Sequence, residues 1–142
     1  MDKRGNKSTI MIHIKYRLKN SKIHGVGLFA NENIKKGSLV YSTSPLLDVN
    51  ISKDKFKSLD DKEKQEIRWW GFWDAPNNVW HVDFDVSKFI NHSFNGNLTQ
   101  DKNNKDAYLA TSRNIKLGEE LTQNYLEFES MEDLKKRGIK IK

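Results

Sequence analysis

The sequence predicts a mainly β domain. Three observations carry that prediction: every second residue over 10–18 is apolar, short strand-like runs follow one another, and Gly and Asn punctuate them. At 142 residues the chain suits a single domain. Hydrophobic residues make up 36% and charged residues 31%, which predicts a modest core beneath a well-charged surface. Four Trp, seven Phe and four Tyr add burial capacity, because each ring covers a large apolar area.

Taken in order, Ile10, Ile12, Ile14, Tyr16 and Leu18 share one side of the first run, and Met11, His13, Lys15 and Arg17 share the other. Period two predicts a half-buried strand. Residues 23–30 follow, with Gly25 and Gly27 flanking Val26. Further short strands are expected at 39–41, 46–49, 79–83, 107–112 and 121–125. One motif recurs: Asn33-Ile34-Lys35-Lys36-Gly37 is echoed by Asn114-Ile115-Lys116-Leu117-Gly118, each a tight turn in which Gly supplies positive φ. It reads as a recurring local solution rather than a duplication.

Two helices are expected. Ser58-Leu59-Asp60-Asp61 has the form of a capping box with Asp in place of Glu, opening a charged helix that carries Leu59, Ile67 and Trp70. Ser130 opens a second, shorter one. Glu132 and Asp133 sit in its first turn, Lys135, Lys136 and Arg137 in its last, and Gly138 follows at C′, which complements the helix dipole. The expected organisation is a flexible N-terminus at 1–9, one domain at 10–129, and a short helix and tail at 130–142.

The absence of cysteine excludes disulfides, thiolate zinc sites and cysteine nucleophiles. No metal-ligand set is expected. The polar start has no apolar run long enough for a signal peptide or membrane span, so an intracellular protein without membrane contact is expected. Net charge is +6 and unevenly spread. Residues 1–70 carry 15 Lys and Arg against 8 Asp and Glu, while residues 71–129 carry 5 against 9. The basic half suits a polyanion such as nucleic acid, the acidic segment suits a basic peptide, and a solvated surface accounts equally well for both.

The chemistry concentrates at residues 88–97, where Asn91, His92 and Ser93 follow directly on the core-like pair Phe89-Ile90. Buried polar groups cost about 1–3 kcal/mol each unless hydrogen-bonded, so these three either satisfy one another and the backbone or hold a ligand. Phe89-Ile90-Asn91-His92-Ser93 followed by Asn97 resembles the signature of the SET-domain family. Two more motifs occur in that family's order. Residues 23–30, with Gly25 and Gly27, resemble its opening Gly-x-Gly segment, and Ala110, Arg113, Ile115, Gly118-Glu119-Glu120-Leu121-Thr122 and Tyr125 resemble its closing one.

The resemblance spans roughly residues 14–128 and implies a SET fold: small β-sheets, a few short helices and a knot-like C-terminal threading, an exception to ordinary chain topology. It also implies a protein-lysine N-methyltransferase that uses S-adenosylmethionine. By the same resemblance, backbone groups around His24, Gly25, Val26 and Gly27 approach the methionine part of the cofactor. Asn91 binds it through its side chain, His92 through its backbone near the adenine, and Phe128 packs on the adenine. Tyr125 is the implied catalytic tyrosine and is also counted among the cofactor-binding residues. The implied partner is a protein or peptide bearing a lysine, histones among the candidates, with direct nucleic-acid binding secondary.

Trp69, Trp70, Phe72, Trp73 and Trp80 read first as core and second as the wall of a lysine channel. The sequence departs from the family in carrying Phe94 where cysteine is common, in lacking cysteine-rich flanks, and in having Tyr41 out of register with a family tyrosine expected near Thr43. The competing reading is a non-catalytic SET-like module that binds basic peptides.

Overall fold

The structure, a computed structural model, describes residues 11–100 and 108–139. The N-terminal stretch 1–9, Ile10, Ala107 and the tail from 140 lie outside the described residues. The elements run β1 (Met11–Ile12), β2 (Tyr16–Asn20), β3 (Val26–Ala30), β4 (Leu39–Ser42), β5 (Val49–Ser52), α1 (Lys53–Lys57) and α2 (Asp61–Trp70). They continue with β6 (Phe72–Asp74), β7 (Val79–Val82), a 3-10 turn at Val86–Phe89, β8 (Asn91–His92), β9 (Leu98–Gln100) and β10 (Leu109–Thr111). Last come β11 (Thr122–Gln123), a second 3-10 turn at Tyr125–Glu127, and α3 (Met131–Lys136). The architecture is the mainly β fold of small sheets with short helices that the sequence predicts.

Three sheets share these strands. Six of them form one sheet in the order β1-β4-β10-β9-β11-β8, β2 pairs with β3, and β5-β7-β6 make the third. The core lies on the large sheet and β3, where Leu28, Val40 and Leu121 are fully buried and Leu98 and Ile115 nearly so. Strand β11 lies between β8 and β9 and is parallel to both, so the C-terminal segment threads between two strands consecutive in sequence. A Cβ on Gly96, in the loop joining those strands, would stand 2.8 Å from Gln123 Cα and 2.9 Å from Thr122 O. Glycine is what lets the chain cross there.

Several expected elements are corrected. The run at 10–18 is two strands, because β1 pairs with β4 in one sheet and β2 pairs with β3 in another. The chain changes sheets at residues 13–15, and Tyr16 and Leu18 remain exposed. The strand expected at 46–49 is a turn closed by the Asp48 amide donating to Ser44 O (3.0 Å), and β5 starts only at Val49. Ser58 does not open α2. It ends α1, and Asp60 is the N-cap of α2, forming the capping box with Glu63. Ser130 caps α3 as expected, accepting from the Asp133 amide at 3.1 Å, and Gly138 follows with φ +81°.

The two repeated turns dock on each other. The Ile34 amide donates to Ile115 O and the Ile115 amide to Ile34 O, both at 2.8 Å. Asn33 Oδ1 accepts from the Leu117 amide (2.9 Å), and Asn114 Oδ1 accepts from the Lys36 amide (2.8 Å). Each asparagine thus caps the fourth residue of the other motif, a local two-fold arrangement. Gly37 and Gly118 close the turns at φ +84° and +96°.

Candidate active site

A cavity of about 800 Å³ opens between the 24–26 loop, the end of α2, the β4 and β7 strands and the C-terminal segment. Of the residues singled out from sequence, His24, Gly25, Val26, Asn91, Tyr125 and Phe128 line it, while Gly27 and His92 do not.

Asn91 enters through β8, paired to Thr122 of β11. Its Nδ2 donates to His24 O at 3.0 Å and to Glu120 Oε2 at 2.9 Å, joining the 24–26 loop to the closing motif. Ser21 Oγ donates to the same carboxylate (2.8 Å to Oε1) and accepts from the Ile23 amide at 2.9 Å. The loop is therefore held from both ends. A Cβ on Gly27 would collide with the Glu120 carboxylate, so glycine there accommodates Glu120. Gly25 takes φ +48° at the turn. Sequence reasoning placed Glu120 in a motif but gave it no partner.

Tyr125 begins the 3-10 turn that Asn124 caps by accepting from the Leu126 amide at 3.0 Å. The Tyr125 hydroxyl donates to Ile90 O, and its amide donates to His92 Nδ1 at 3.1 Å. Burial pushes the Tyr125 hydroxyl up to about 12; the Arg137 charge opposes this, and the charges of Glu129 and Glu120 add to it. The hydroxyl therefore stays protonated near neutrality. Burial lowers His92, and because Nδ1 accepts, the neutral ring carries its proton on Nε2, which is buried without a hydrogen-bond partner among the described residues.

Aromatic rings form one wall. Phe128 packs 4.7 Å from Phe72 and 5.4 Å from Tyr125, and Phe72 packs 5.4 Å from His81. Trp69 meets the His24 ring edge-on at 5.5 Å. The aromatic cluster read from sequence divides: Trp69, Trp70 and Phe72 line the cavity, while Trp80 packs against Trp73 and Phe56 in a small core under the third sheet.

Deeper in the lining, the Tyr41 hydroxyl donates to Asp83 Oδ1, which His81 Nε2 also meets at 2.8 Å. His81 Nδ1 lies 2.8 Å from Asn50 Oδ1, and Asp48 Oδ2 is 3.4 Å from Nε2. Burial alone lowers His81, but the hydrogen bond and charge of Asp83, with the charge of Asp48, outweigh it and raise its pKa. Asp48, His81 and Asp83 bring ligand atoms within 4.8 Å of one another, yet Asp48 also accepts the Ser44 and Phe84 amides (3.0 and 2.9 Å), so hydrogen bonds account for the cluster. Tyr41 and Thr43, two apart on an extended chain, both line the cavity, so the register difference noted from sequence leaves a tyrosine in the wall. Sequence reasoning missed this cluster; the one local signal was His81 and Asp83 spaced two apart.

Glu129 and Arg137 also line the cavity. The Glu129 side chain is fully buried, with Arg137 Nε 3.2 Å from Oε1. Burial raises Glu129 to about 7 against the lowering effect of Arg137. Arg137 donates through Nη1 to Gly71 O and lies 5.8 Å from the Tyr125 ring centroid, tying α3 to the end of α2 and to the candidate catalytic residue.

The model of the SET domain matches residues 25–126, and the chain belongs to that family. No curated protein matches the chain. Among solved structures, Polycomb Repressive Complex 2 of Chaetomium thermophilum is similar at 26% identity and TM-score 0.64, over 87% of this chain and 17% of that one. The complex in an autoinhibited conformation bound to S-adenosylmethionine matches at 26% identity and TM-score 0.61, over 88% of this chain and 17% of that one. This chain thus spans under one fifth of the length of those relatives. A Plasmodium falciparum protein matches at 18% identity and TM-score 0.56, over 80% of this chain and 95% of that one, and shares the fold alone. The fold is that of a methyltransferase.

Proposed function

We propose that this chain is an S-adenosylmethionine-dependent protein-lysine N-methyltransferase. One observation carries the reading: the 24–26 backbone, Asn91 and the Tyr125 hydroxyl converge on one cavity although they lie far apart in sequence. The donor set fits such a cofactor. The cavity has aromatic rings for a purine, loop carbonyls and buried polar atoms for its polar groups, and no described hydrogen bond uses Asn91 Oδ1. In this reading His24, Gly25, Val26, Asn91 and Phe128 contact the cofactor, with Gly27 and His92 supporting the site from outside the lining. When bound, the cofactor supplies an electrophilic methyl group on a sulfonium.

The chain's own contribution is alignment, desolvation and exclusion of water. A lysine amine, with a reference pKa of about 10.4, must be neutral to attack, and burial within the cavity disfavours its charged form. Tyr125 is no base here, since its hydroxyl holds its proton. That proton is given to Ile90 O, which leaves the oxygen lone pairs to accept an N–H of the amine and aim its lone pair. The acidic segment 71–129 favours a lysine within a basic peptide, and histone tails belong to that class. Nucleic-acid binding through the basic half is a secondary role in this reading.

The second reading, a non-catalytic module for basic peptides, draws on Asn91 Nδ2 being already satisfied by His24 and Glu120. Labelled methyl transfer to histone and other lysine peptides separates the two. Wild type is expected to label a lysine peptide, and Tyr125→Phe to lose about 100-fold in rate, the scale of a misaligned nucleophile, with cofactor affinity little changed. Peptide binding without cofactor affinity or labelling would establish the module instead.

A further inference from the structure

Glu129 is a charged group without the contacts that normally accompany burial. Its side chain is fully buried and lines the cavity. Neither carboxylate oxygen has a hydrogen-bond donor among the described residues. Arg137 Nε stands 3.2 Å from Oε1, near enough for attraction but misaligned for a hydrogen bond, and Nε is itself without a partner. A carboxylate that is charge-compensated yet lacks donors is complete only when something in the cavity supplies them.

The chemistry of those donors follows from the surroundings. Arg137 already balances the charge, so an incoming ammonium would compete with it for one anion. A neutral group with two donors leaves the ion pair intact and satisfies both oxygens. Beside Glu129, Phe128 packs on Phe72 with the ring planes tilted by 58°, and Trp69 and Trp70 line the same cavity. Aromatic side chains next to a buried double acceptor suit a nucleoside, with the base against one ring and the sugar's vicinal hydroxyls on the carboxylate.

We propose that Glu129 is a cofactor-binding residue that accepts the ribose hydroxyls of the adenosyl group, an assignment that rests on the function proposed above. Arg137 is its positioning residue. Held through Gly71 O, it fixes the carboxylate between α2 and α3, so the C-terminal helix becomes part of the cofactor site rather than a mere flank. Neither residue belongs to any of the three motifs that identify the domain.

Calorimetry with S-adenosylhomocysteine and its 2′-deoxy and 3′-deoxy counterparts tests this, on wild type and Glu129→Gln, which keeps the side chain's shape. Wild type should bind the parent compound at least tenfold more tightly than at least one deoxy counterpart. Glu129→Gln should weaken the parent roughly tenfold and leave that counterpart unchanged, the coupling expected of a charge-assisted hydrogen bond. Equal weakening of all three ligands, or no weakening of any, would overturn the assignment while leaving the proposed function standing. Absence of all binding by folded wild type would overturn both.

Discussion

Glu120 and Glu129 show how differently two carboxylates work in one site. Glu120 is hydrogen-bonded by Ser21 and Asn91 and fixes the loop that carries His24 and Gly25. Glu129 is buried beside Arg137, and burial raises its pKa to about 7, so the ion pair and the double acceptor form fully only above that pH. An unfolded glutamate titrates near 4.3, so between roughly pH 4.5 and 7 the folded protein binds the additional proton, and stability falls as pH rises through that window. Glu129→Gln removes that loss. Thermal unfolding should show the variant gaining on wild type from pH 5 to pH 8, by about 2 kcal/mol. An unchanged difference would contradict the raised pKa. Asn91, His92 and Ser93 were legible in the sequence because polar residues followed a core-like pair. The Glu129–Arg137 pair was not, because neither residue breaks a pattern and eight positions separate them.

At the scale of elements, what was legible was local and what was missed was pairing. The repeat at Asn33 and Asn114 was visible, with its glycines rightly placed in positive φ, but nothing in it shows that the copies cap each other. Symmetry predicts that Asn33→Ala and Asn114→Ala each cost about 1 kcal/mol, the worth of one hydrogen bond, in urea unfolding. A loss at one position only would deny the mutual capping. The two overlapping capping boxes teach the same lesson. Ser58-x-x-Asp61 and Asp60-x-x-Glu63 satisfy one pattern, and what decides between them is that residues 53–57 form a helix of their own, which Ser58 must close. Likewise the period-two apolar pattern runs through residues 10–18, while the partner sheet changes beneath it.

Across the molecule, the threading of β11 between β8 and β9 creates the site, because it sets Thr122 against Asn91 and delivers Tyr125 to Ile90 O. No periodicity announces such a crossing, and the sequence revealed it only through the ordered motifs. Gly96 is where backbone passes backbone. A methyl group there meets Gln123 Cα and Thr122 O, neither of which can rotate away, so Gly96→Ala should cost about 1–3 kcal/mol by overpacking. Urea unfolding checks this, and a neutral substitution would mean that the crossing is looser than described. Gly37→Ala, with open space around its Cβ, meets only the strain of φ +84° and serves as the comparison.

The most direct test of the account is calorimetric titration of S-adenosylmethionine into wild type and into Asn91→Ala, each verified as folded. Binding in the micromolar range that the substitution abolishes is the predicted result, because Asn91 ties the 24–26 loop to the cavity floor. Well-folded wild type that takes up no cofactor would contradict it and leave a SET fold built to hold peptides.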